Sequence, residues 1–249
     1  MRDRAAFMRP IAHRGLHDAA KGIIENTAPA FQAAIARGYG IECDLRPAAC
    51  GTPMVFHDLT LNRLVEGEGP LAAHSASSLK RLHYRTAAGS MLDLPELLGL
   101  TAGRVPLLIE IKSEWDAPDL RFLKAIADAA AAYRGPIALM SFDPSVMTAV
   151  RELAPAVPRG IVSGQFLADC WWRDKLGPER AYSLTHLLES GPATPDFYAY
   201  DITALPTPVT RFTREVLGLP LLAWTVRTEE QRATAARWAD APIFEGYEP

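Results

Sequence analysis

Short apolar segments alternate with longer amphipathic segments along the chain. The short segments are continuous apolar runs rather than clean alternations of polar and apolar residues, which is typical of parallel strands covered on both faces. They predict eight strands, at Pro10–His13, Tyr39–Leu45, Val105–Ile111, Pro136–Phe142, Arg159–Val162, Phe197–Asp201, Leu219–Val226 and Pro242–Phe244. Apolar residues recurring at helical spacing predict helices at Glu25–Arg37, Asp119–Tyr133, Pro144–Leu153, Arg173–Glu189, Val209–Leu217 and Thr228–Ala239.

This alternation predicts an α/β protein with the architecture of a TIM (β/α)8 barrel. The chain has 249 residues, which is the usual length of eight βα units. A doubly wound open sheet is the alternative, but no glycine-rich dinucleotide fingerprint supports it. The gap between the second and third predicted strands is unusually long. It predicts an insertion on the barrel rim at about 46–103, with a short strand at Met54–His57 and a helical stretch near Asp93–Leu100, within a single domain spanning residues 1–249.

Composition and charge exclude several classes of protein. The chain is 49% hydrophobic and 22% charged, which is ordinary for a globular protein. Its net charge of −3 argues against a nucleic-acid partner and against a polybasic membrane anchor. The 3 cysteines show no C-x-x-C spacing and favour free thiols in a reducing compartment. No secretory signal and no apolar stretch of about 20 residues is present, so we expect a cytoplasmic protein without a stable membrane anchor.

Acidic residues lie at the ends of the second and third predicted strands. Glu42 and Asp44 are two residues apart, so both point to one face of the strand, while Cys43 points away. Glu110 occupies the equivalent place on the next strand. For Glu42 and Asp44 alone, salt bridges at the barrel mouth are the alternative interpretation. With Glu110 added, the mutual repulsion of three carboxylates favours one divalent cation, Mg²⁺ or Ca²⁺.

Two of the 6 histidines, His13 and His57, each end a predicted strand and precede a charged residue. Two such histidines near a metal could act as base and acid. Arg14 and Lys112 suit a phosphate, although Lys112 could instead compensate the charge of Glu110. Surface or structural roles are expected for the remaining histidines, His17, His74, His83 and His186.

The tryptophans have two interpretations each. Trp224 ends the seventh predicted strand, where an aromatic ring can form an apolar wall for a small ligand, or simply a part of the core. Trp171 and Trp172 are interpreted as rim packing or as a cover over the site.

A series of linked motifs resembles the glycerophosphodiester phosphodiesterases. The motifs are His13-Arg14-Gly15, Glu25-Asn26-Thr27, Glu42-Cys43-Asp44, His57-Asp58, Asn62-Arg63, Glu110-x-Lys112, Ser141-Phe142 and Trp224-Thr225-Val226. The resemblance covers nearly the whole chain. It implies a TIM barrel with a small insertion after the second strand. The implied substrate is a glycerophosphodiester, a deacylated phospholipid, and the implied products are glycerol 3-phosphate and an alcohol.

The resemblance also implies a role for each candidate residue. The metal is expected on Glu42, Asp44 and Glu110. The other implied roles are acid/base catalysis for His13 and His57, phosphate binding for Arg14 and Lys112, and glycerol binding for Trp224.

The chain departs from the family's pattern at three places. Cys50-Gly51-Thr52-Pro53 stands where Asp-Gly usually precedes the proline, Arg227 where asparagine is frequent, and Phe244–Pro249 where Thr-Asp-x-Pro is usual. The last difference leaves substrate preference open. Two alternatives therefore remain: a related TIM-barrel phosphodiesterase acting on a lysophospholipid or phosphoinositide, and a non-catalytic phosphate-binding barrel.

Overall fold

Eight parallel strands form a closed ring in the computed structural model, which describes residues 5–166 and 173–249. The strands in chain order are β1 (Ile11–Ala12), β2 (Gly40–Pro47), β3 (Pro53–Val55), β4 (Leu107–Ile111), β5 (Ile137–Ser141), β6 (Arg159–Ser163), β7 (Phe197–Asp201), β8 (Leu221–Val226) and β9 (Ala241–Phe244). β1 pairs with both β2 and β9, which closes the ring. β3 lies outside it, antiparallel to β2. The predicted TIM barrel is confirmed, and β3 corresponds to the short strand predicted at Met54–His57.

Helices cover the outside of the ring, except for the short helix at Ala76–Leu79, which lies in the segment between β2 and β4. They are α1 (Ala28–Arg37), α2 (Ala76–Leu79), α3 (Leu94–Thr101), α4 (Leu120–Ala132), α5 (Pro144–Leu153), α6 (Arg173–Thr185), α7 (Pro208–Arg211) and α8 (Glu229–Trp238). A π-helical turn, Phe212–Val216, continues α7, so the helix predicted at Val209–Leu217 is two short pieces. The helix predicted from Glu25 begins only at Ala28, with Pro29 in its first turn, where proline's missing N–H leaves no hydrogen bond unmade.

The sixth helix also differs from its prediction. It ends at Thr185 rather than Glu189, and Gly177 interrupts it with a φ of 71°. Glycine adopts this left-handed conformation without the steric penalty of a Cβ. Cys170, Trp171 and Trp172 lie outside the described residues.

The segment between β2 and β4 has two parts. The first part, up to Met91, encloses a small core of its own, which includes Met54, Phe56, Leu61 and Leu79. The second part contains α3, whose Leu94 and Leu97 belong to the main hydrophobic layer between the strands and the helices. α3 therefore packs as the barrel's other helices do, while the first part of the segment has a separate core.

The lower half of the barrel interior is apolar. Ile11, Leu108, Met140 and Ile243 are buried in one cluster there, together with Phe7. Charged side chains thus collect at the opposite end of the interior, where the strands end.

Short 3-10 turns complete the secondary structure. They lie at Ala5–Phe7, Ala19–Lys21, Leu71–Ala73, Gly191–Ala193 and Ile202–Ala204.

Two cysteines fall within the described residues, and both are free thiols. Cys43 is buried in the main hydrophobic layer and Cys50 is exposed. Cys43 therefore points away from its acidic neighbours, as the strand periodicity predicts. Within the described residues, none of the helices combines the length and the apolar character that crossing a membrane requires.

Candidate active site

Three carboxylates converge at the carboxyl ends of β2 and β4. Asp44 lies beside Glu110 in the strand register, and oxygens of Glu42, Asp44 and Glu110 lie within 4.8 Å of one another. All three side chains are buried. Burial, followed by the charges of Asp44 and Glu110, raises the pKa of Glu42 well above its ordinary value. The cluster therefore holds more negative charge than its surroundings tolerate without a nearby cation.

The oxygens of this cluster fit a divalent cation. Oε2 of Glu42 accepts a hydrogen bond from the backbone N–H of Arg14 at 2.9 Å. Oε1 of Glu42 is buried, and no group among the described residues donates a hydrogen bond to it. Hard cations such as Mg²⁺ and Ca²⁺ take carboxylate oxygens as ligands. The acidic cluster could therefore bind one such ion.

Two side-chain cations lie against the carboxylates. Nζ of Lys112 is 2.8 Å from Oδ1 of Asp44 and 2.5 Å from Oε1 of Glu110, and Nε of Arg14 is 3.4 Å from Oδ2 of Asp44. Burial alone would raise the pKa of Asp44, but Lys112, then His57 and Arg14, hold it below its ordinary value. Lys112 thus compensates Glu110, as one interpretation predicted, and it also lines the cavity above the cluster.

His13 follows β1 directly and lies between two acidic side chains. Its Nε2 is 3.9 Å from Oε2 of Glu42, and its Nδ1 is 2.6 Å from Oε2 of Glu245. Burial lowers the pKa of His13 from its ordinary value, against the opposing hydrogen bond to Glu245. The neutral ring is thereby favoured at neutral pH, which is the form that can accept a proton.

A chain of ion pairs links the second histidine to Arg14. Nδ1 of His57 is 2.8 Å from Oδ1 of Asp58, and Asp58 binds Arg63 with Nε to Oδ2 at 2.5 Å. Arg63 in turn binds Glu25 at 2.7 Å, and Glu25 accepts a 2.7 Å hydrogen bond from Nη1 of Arg14. His57 lies on the rim insertion, so this chain ties the insertion to the barrel.

The backbone near Arg14 is held in an uncommon conformation. Arg14 and Asn26 have φ values of 55° and 57°, a left-handed region that L-residues other than glycine rarely adopt. Nδ2 of Asn26 donates a hydrogen bond to Oδ2 of Asp44 at 2.8 Å. Such conformations cluster at functional sites because surrounding contacts stabilise them.

A cavity of about 390 Å³ lies above these groups. Its aromatic wall contains Trp115, Phe142 and Trp224, and the last two rings meet edge to face at 5.2 Å. Nε1 of Trp224 is buried without a hydrogen-bond partner among residues 5–166 and 173–249. Trp224 is therefore part of the cavity wall, and it also packs against the apolar cluster in the lower half of the barrel.

The structure brings the predicted site residues into one place. His13, Arg14, His57, Glu110, Lys112 and Trp224 line the cavity, and Glu42 and Asp44 lie with Glu110 in the acidic cluster. Their roles in catalysis and binding stay predictions.

Three further residues of the site were not predicted from the sequence. Arg46 lines the cavity and donates to the backbone oxygen of His57 at 2.5 Å. Glu245 binds His13, and His17, expected to be structural or exposed, lies 4.0 Å from the same Glu245 oxygen. Glu245 could have been recognised, because it follows the last strand as His13 follows the first.

The fold and the charged barrel mouth place the chain among the TIM-barrel enzymes. The model of the Glycerophosphoryl diester phosphodiesterase family matches residues 13–244. The chain therefore belongs to the glycerophosphoryl diester phosphodiesterase family, and it is an enzyme of the phosphodiesterase class.

Curated relatives and solved structures agree with this assignment. The chain is 29% identical over 172 residues, 65% of its own length and 69% of the relative's, to a glycerophosphodiester phosphodiesterase of Caldanaerobacter subterraneus. A crystal structure of a putative glycerophosphoryl diester phosphodiesterase from Silicibacter pomeroyi has the same fold, with a TM-score of 0.75, 24% identity and coverage of 95% and 89% of the two chains. An Oleispira antarctica phosphodiesterase, solved with its product sn-glycerol-3-phosphate, has a TM-score of 0.74 at 19% identity, covering 95% and 92%.

Proposed function

We propose that this enzyme hydrolyses glycerophosphodiesters to glycerol 3-phosphate and an alcohol, using one bound divalent cation and two histidines. The observation that carries the proposal is the convergence of Glu42, Asp44 and Glu110 below a cavity lined by His13 and His57. Membership of the family supports the substrate class. The product bound to the Oleispira antarctica phosphodiesterase supports the identity of the phosphate-bearing product.

The carboxylates and the cations divide the binding of a phosphodiester between them. A divalent ion held by Glu42, Asp44 and Glu110, Mg²⁺ or Ca²⁺, would lower the pKa of an attacking hydroxyl and offset charge on the phosphate. Arg14 and Lys112 bind the phosphate oxygens, Arg14 through its planar guanidinium and Lys112 as a point charge. Trp224 packs against the glycerol carbons.

The histidines move the protons. Each imidazole has Nδ1 beside a carboxylate, Glu245 for His13 and Asp58 for His57. A carboxylate accepts the Nδ1 proton, so Nε2 of the neutral ring is free to accept a proton from a reacting group. One histidine acts in this way, and the other, protonated, donates to the oxygen of the leaving alcohol.

A second candidate is a phosphodiesterase acting on a lysophospholipid. A smaller cavity of about 180 Å³ shares Arg46, Lys112 and Ser113 with the site and is otherwise walled largely by apolar side chains, including Leu59 and Phe122. An acyl chain attached to the glycerol would find apolar contacts there.

The proposed location of the enzyme is the cytoplasm. The free thiols Cys43 and Cys50 support a reducing compartment of this kind.

A substrate panel separates these candidates. The protein is freed of metal with EDTA and assayed with glycerophosphocholine, glycerophosphoethanolamine, a lysophospholipid and a phosphoinositide, each with Mg²⁺, Ca²⁺, Mn²⁺ or none. We expect glycerol 3-phosphate from the two glycerophosphodiesters, only with a divalent ion. Faster turnover of the lysophospholipid would favour the second candidate. Binding of glycerophosphocholine without turnover under every condition would refute a catalytic role.

A further inference from the structure

Three ionisable residues follow three neighbouring strands on one side of the barrel mouth. Arg227 follows β8, Glu245 follows β9 and His13 follows β1. Backbone hydrogen bonds continue the sheet to these positions, from the N–H of Glu245 to the Val226 oxygen at 3.0 Å and from the N–H of His13 to the Phe244 oxygen at 2.9 Å. The spacing of the three side chains is therefore set by the barrel itself.

Glu245 contacts both of its neighbours. Its Oε2 lies 2.6 Å from Nδ1 of His13 and 3.0 Å from Nη2 of Arg227, and its Oε1 lies 3.3 Å from Nε of Arg227. The guanidinium thus engages both carboxylate oxygens, which is the geometry that arginine and a carboxylate prefer. Glu245 is three-quarters buried and Arg227 is half exposed, so the pair extends from the cavity towards the surface.

The contact with Glu245 determines which ring nitrogen of His13 can accept a proton. A carboxylate is an acceptor only, so His13 donates its Nδ1 proton and the lone pair of the neutral ring is on Nε2. Nε2 is the atom that lies 3.9 Å from Glu42, on the side of the acidic cluster. Without Glu245, neither the proton's position nor the tilt of the ring is set by any other contact to Nδ1 among the described residues.

The contacts of Glu245 join His13 on one side to Arg227 on the other. We propose that Glu245 is a positioning residue that fixes the orientation and the tautomer of His13, and that Arg227 holds Glu245 for this task. The inference rests on the proposed function, because it assigns His13 a part in proton transfer.

The first test replaces the carboxylate by an amide. In Glu245→Gln only the uncharged amide oxygen can accept, so the side chain can no longer serve His13 and both nitrogens of Arg227 as the carboxylate does. The Nδ1 proton of His13 then has a weaker acceptor or faces the NH2 group, and the tautomer with the proton on Nε2 becomes more populated. We expect kcat for glycerophosphocholine with Mg²⁺ to fall at least about tenfold, with KM within about twofold of wild type. Arg227→Gln should give a smaller fall in kcat, and its effect should largely disappear in the Glu245→Gln background.

A direct readout is the tautomer of His13. Nitrogen-15 NMR of histidine-labelled holoenzyme should show the proton on Nδ1 in wild type and an increased fraction of the Nε2–H tautomer in Glu245→Gln. Glu248→Gln is the matched control, because Glu248 pairs with Arg37 outside the cavity, and it should change neither kcat nor the tautomer. Melting temperatures of all variants are compared. If Glu245→Gln fails to fold, Glu245→Asp replaces it, since the shorter side chain also withdraws the carboxylate from Nδ1.

The outcomes distinguish the positioning role of Glu245 from the role of His13 in proton transfer. Normal kcat in Glu245→Gln, or an unchanged tautomer, would overturn the positioning role. A raised KM with unchanged kcat would also overturn it and would instead make the pair a substrate contact. The variant His13→Ala is assayed alongside: if its turnover is also normal, the proposed function of His13 has failed rather than the role of Glu245 alone.

Discussion

The two halves of the barrel interior are built on the same strands but have opposite chemistry. The lower half is an apolar cluster, whereas the upper half carries acids, bases and cations. The change takes one step of two residues along a strand, from Ile11 to His13, from Leu108 to Glu110 and from Ile243 to Glu245. Residues two apart point to the same side of a strand, so each pair enters the same interior at successive heights.

The comparison shows how one scaffold separates stability from function. Apolar side chains in the lower half remove surface from water and hold the ring together. Buried carboxylates in the upper half oppose folding unless they are paired or bind a cation. Substitutions in the lower half should therefore change stability, and substitutions in the upper half should change activity.

The largest effect is expected from the histidines. His57→Ala should lower kcat about 10²- to 10⁴-fold, because a positioned acid or base contributes on that scale. Its melting temperature should stay close to wild type, since His57 is partly exposed and lies on the rim insertion. Steady-state kinetics with glycerophosphocholine measure the effect. Near-normal turnover would show that hydrolysis at the upper half of the barrel does not depend on His57.

The lower half is tested with Leu108, two residues before Glu110 on β4. Leu108→Ala leaves a void in a fully buried layer and should lower the free energy of unfolding by about 2–5 kcal/mol. The measurement is urea denaturation followed by circular dichroism. At a temperature where the variant is folded, kcat should remain within a few-fold of wild type. Loss of activity without loss of stability would contradict the separation of the two halves.

The upper half should show the opposite effect on stability. Glu42→Gln removes one of three neighbouring buried charges, so the metal-free protein should be at least as stable as wild type, by about 0–2 kcal/mol. The same variant should lose nearly all activity. Urea denaturation in EDTA is the measurement. A clear loss of stability in EDTA would show that Glu42 is a structural partner in the fold.

How much of this arrangement the sequence predicts depends on how local each contact is. The acids of β2 and β4 are predictable, because strand periodicity and the parallel order bring their carboxyl ends together. The contact of His13 with Glu245 joins residues 232 positions apart, and only the closing pair of β1 and β9 creates it. The assignment of α3 to the barrel likewise depends on packing, since its apolar spacing is the same in an insertion or a barrel helix.

The smallest effect is expected at the edge of the upper half. Arg63→Ala breaks the link between Asp58 and Glu25, which orients His57 from a half-exposed position. We expect kcat to fall by about two- to tenfold, because partly exposed ion pairs contribute about 1 kcal/mol. Arg211→Ala, which breaks an exposed pair with Glu215, is the control and should leave kcat unchanged. Equal effects of Arg63→Ala and Arg211→Ala on kcat would show that the ion pairs of Arg63 do not contribute to the active site.

The central claim is that the upper half binds one divalent cation on Glu42, Asp44 and Glu110 and needs it for hydrolysis. Isothermal titration of the EDTA-treated protein with Mg²⁺, Ca²⁺ and Mn²⁺, with activity followed in parallel, tests it. We predict one site per chain, recovery of glycerophosphocholine hydrolysis as that site fills, and affinity at least about tenfold weaker in Glu110→Gln. Full activity of protein shown to be free of metal, or unchanged affinity in Glu110→Gln, would contradict the claim.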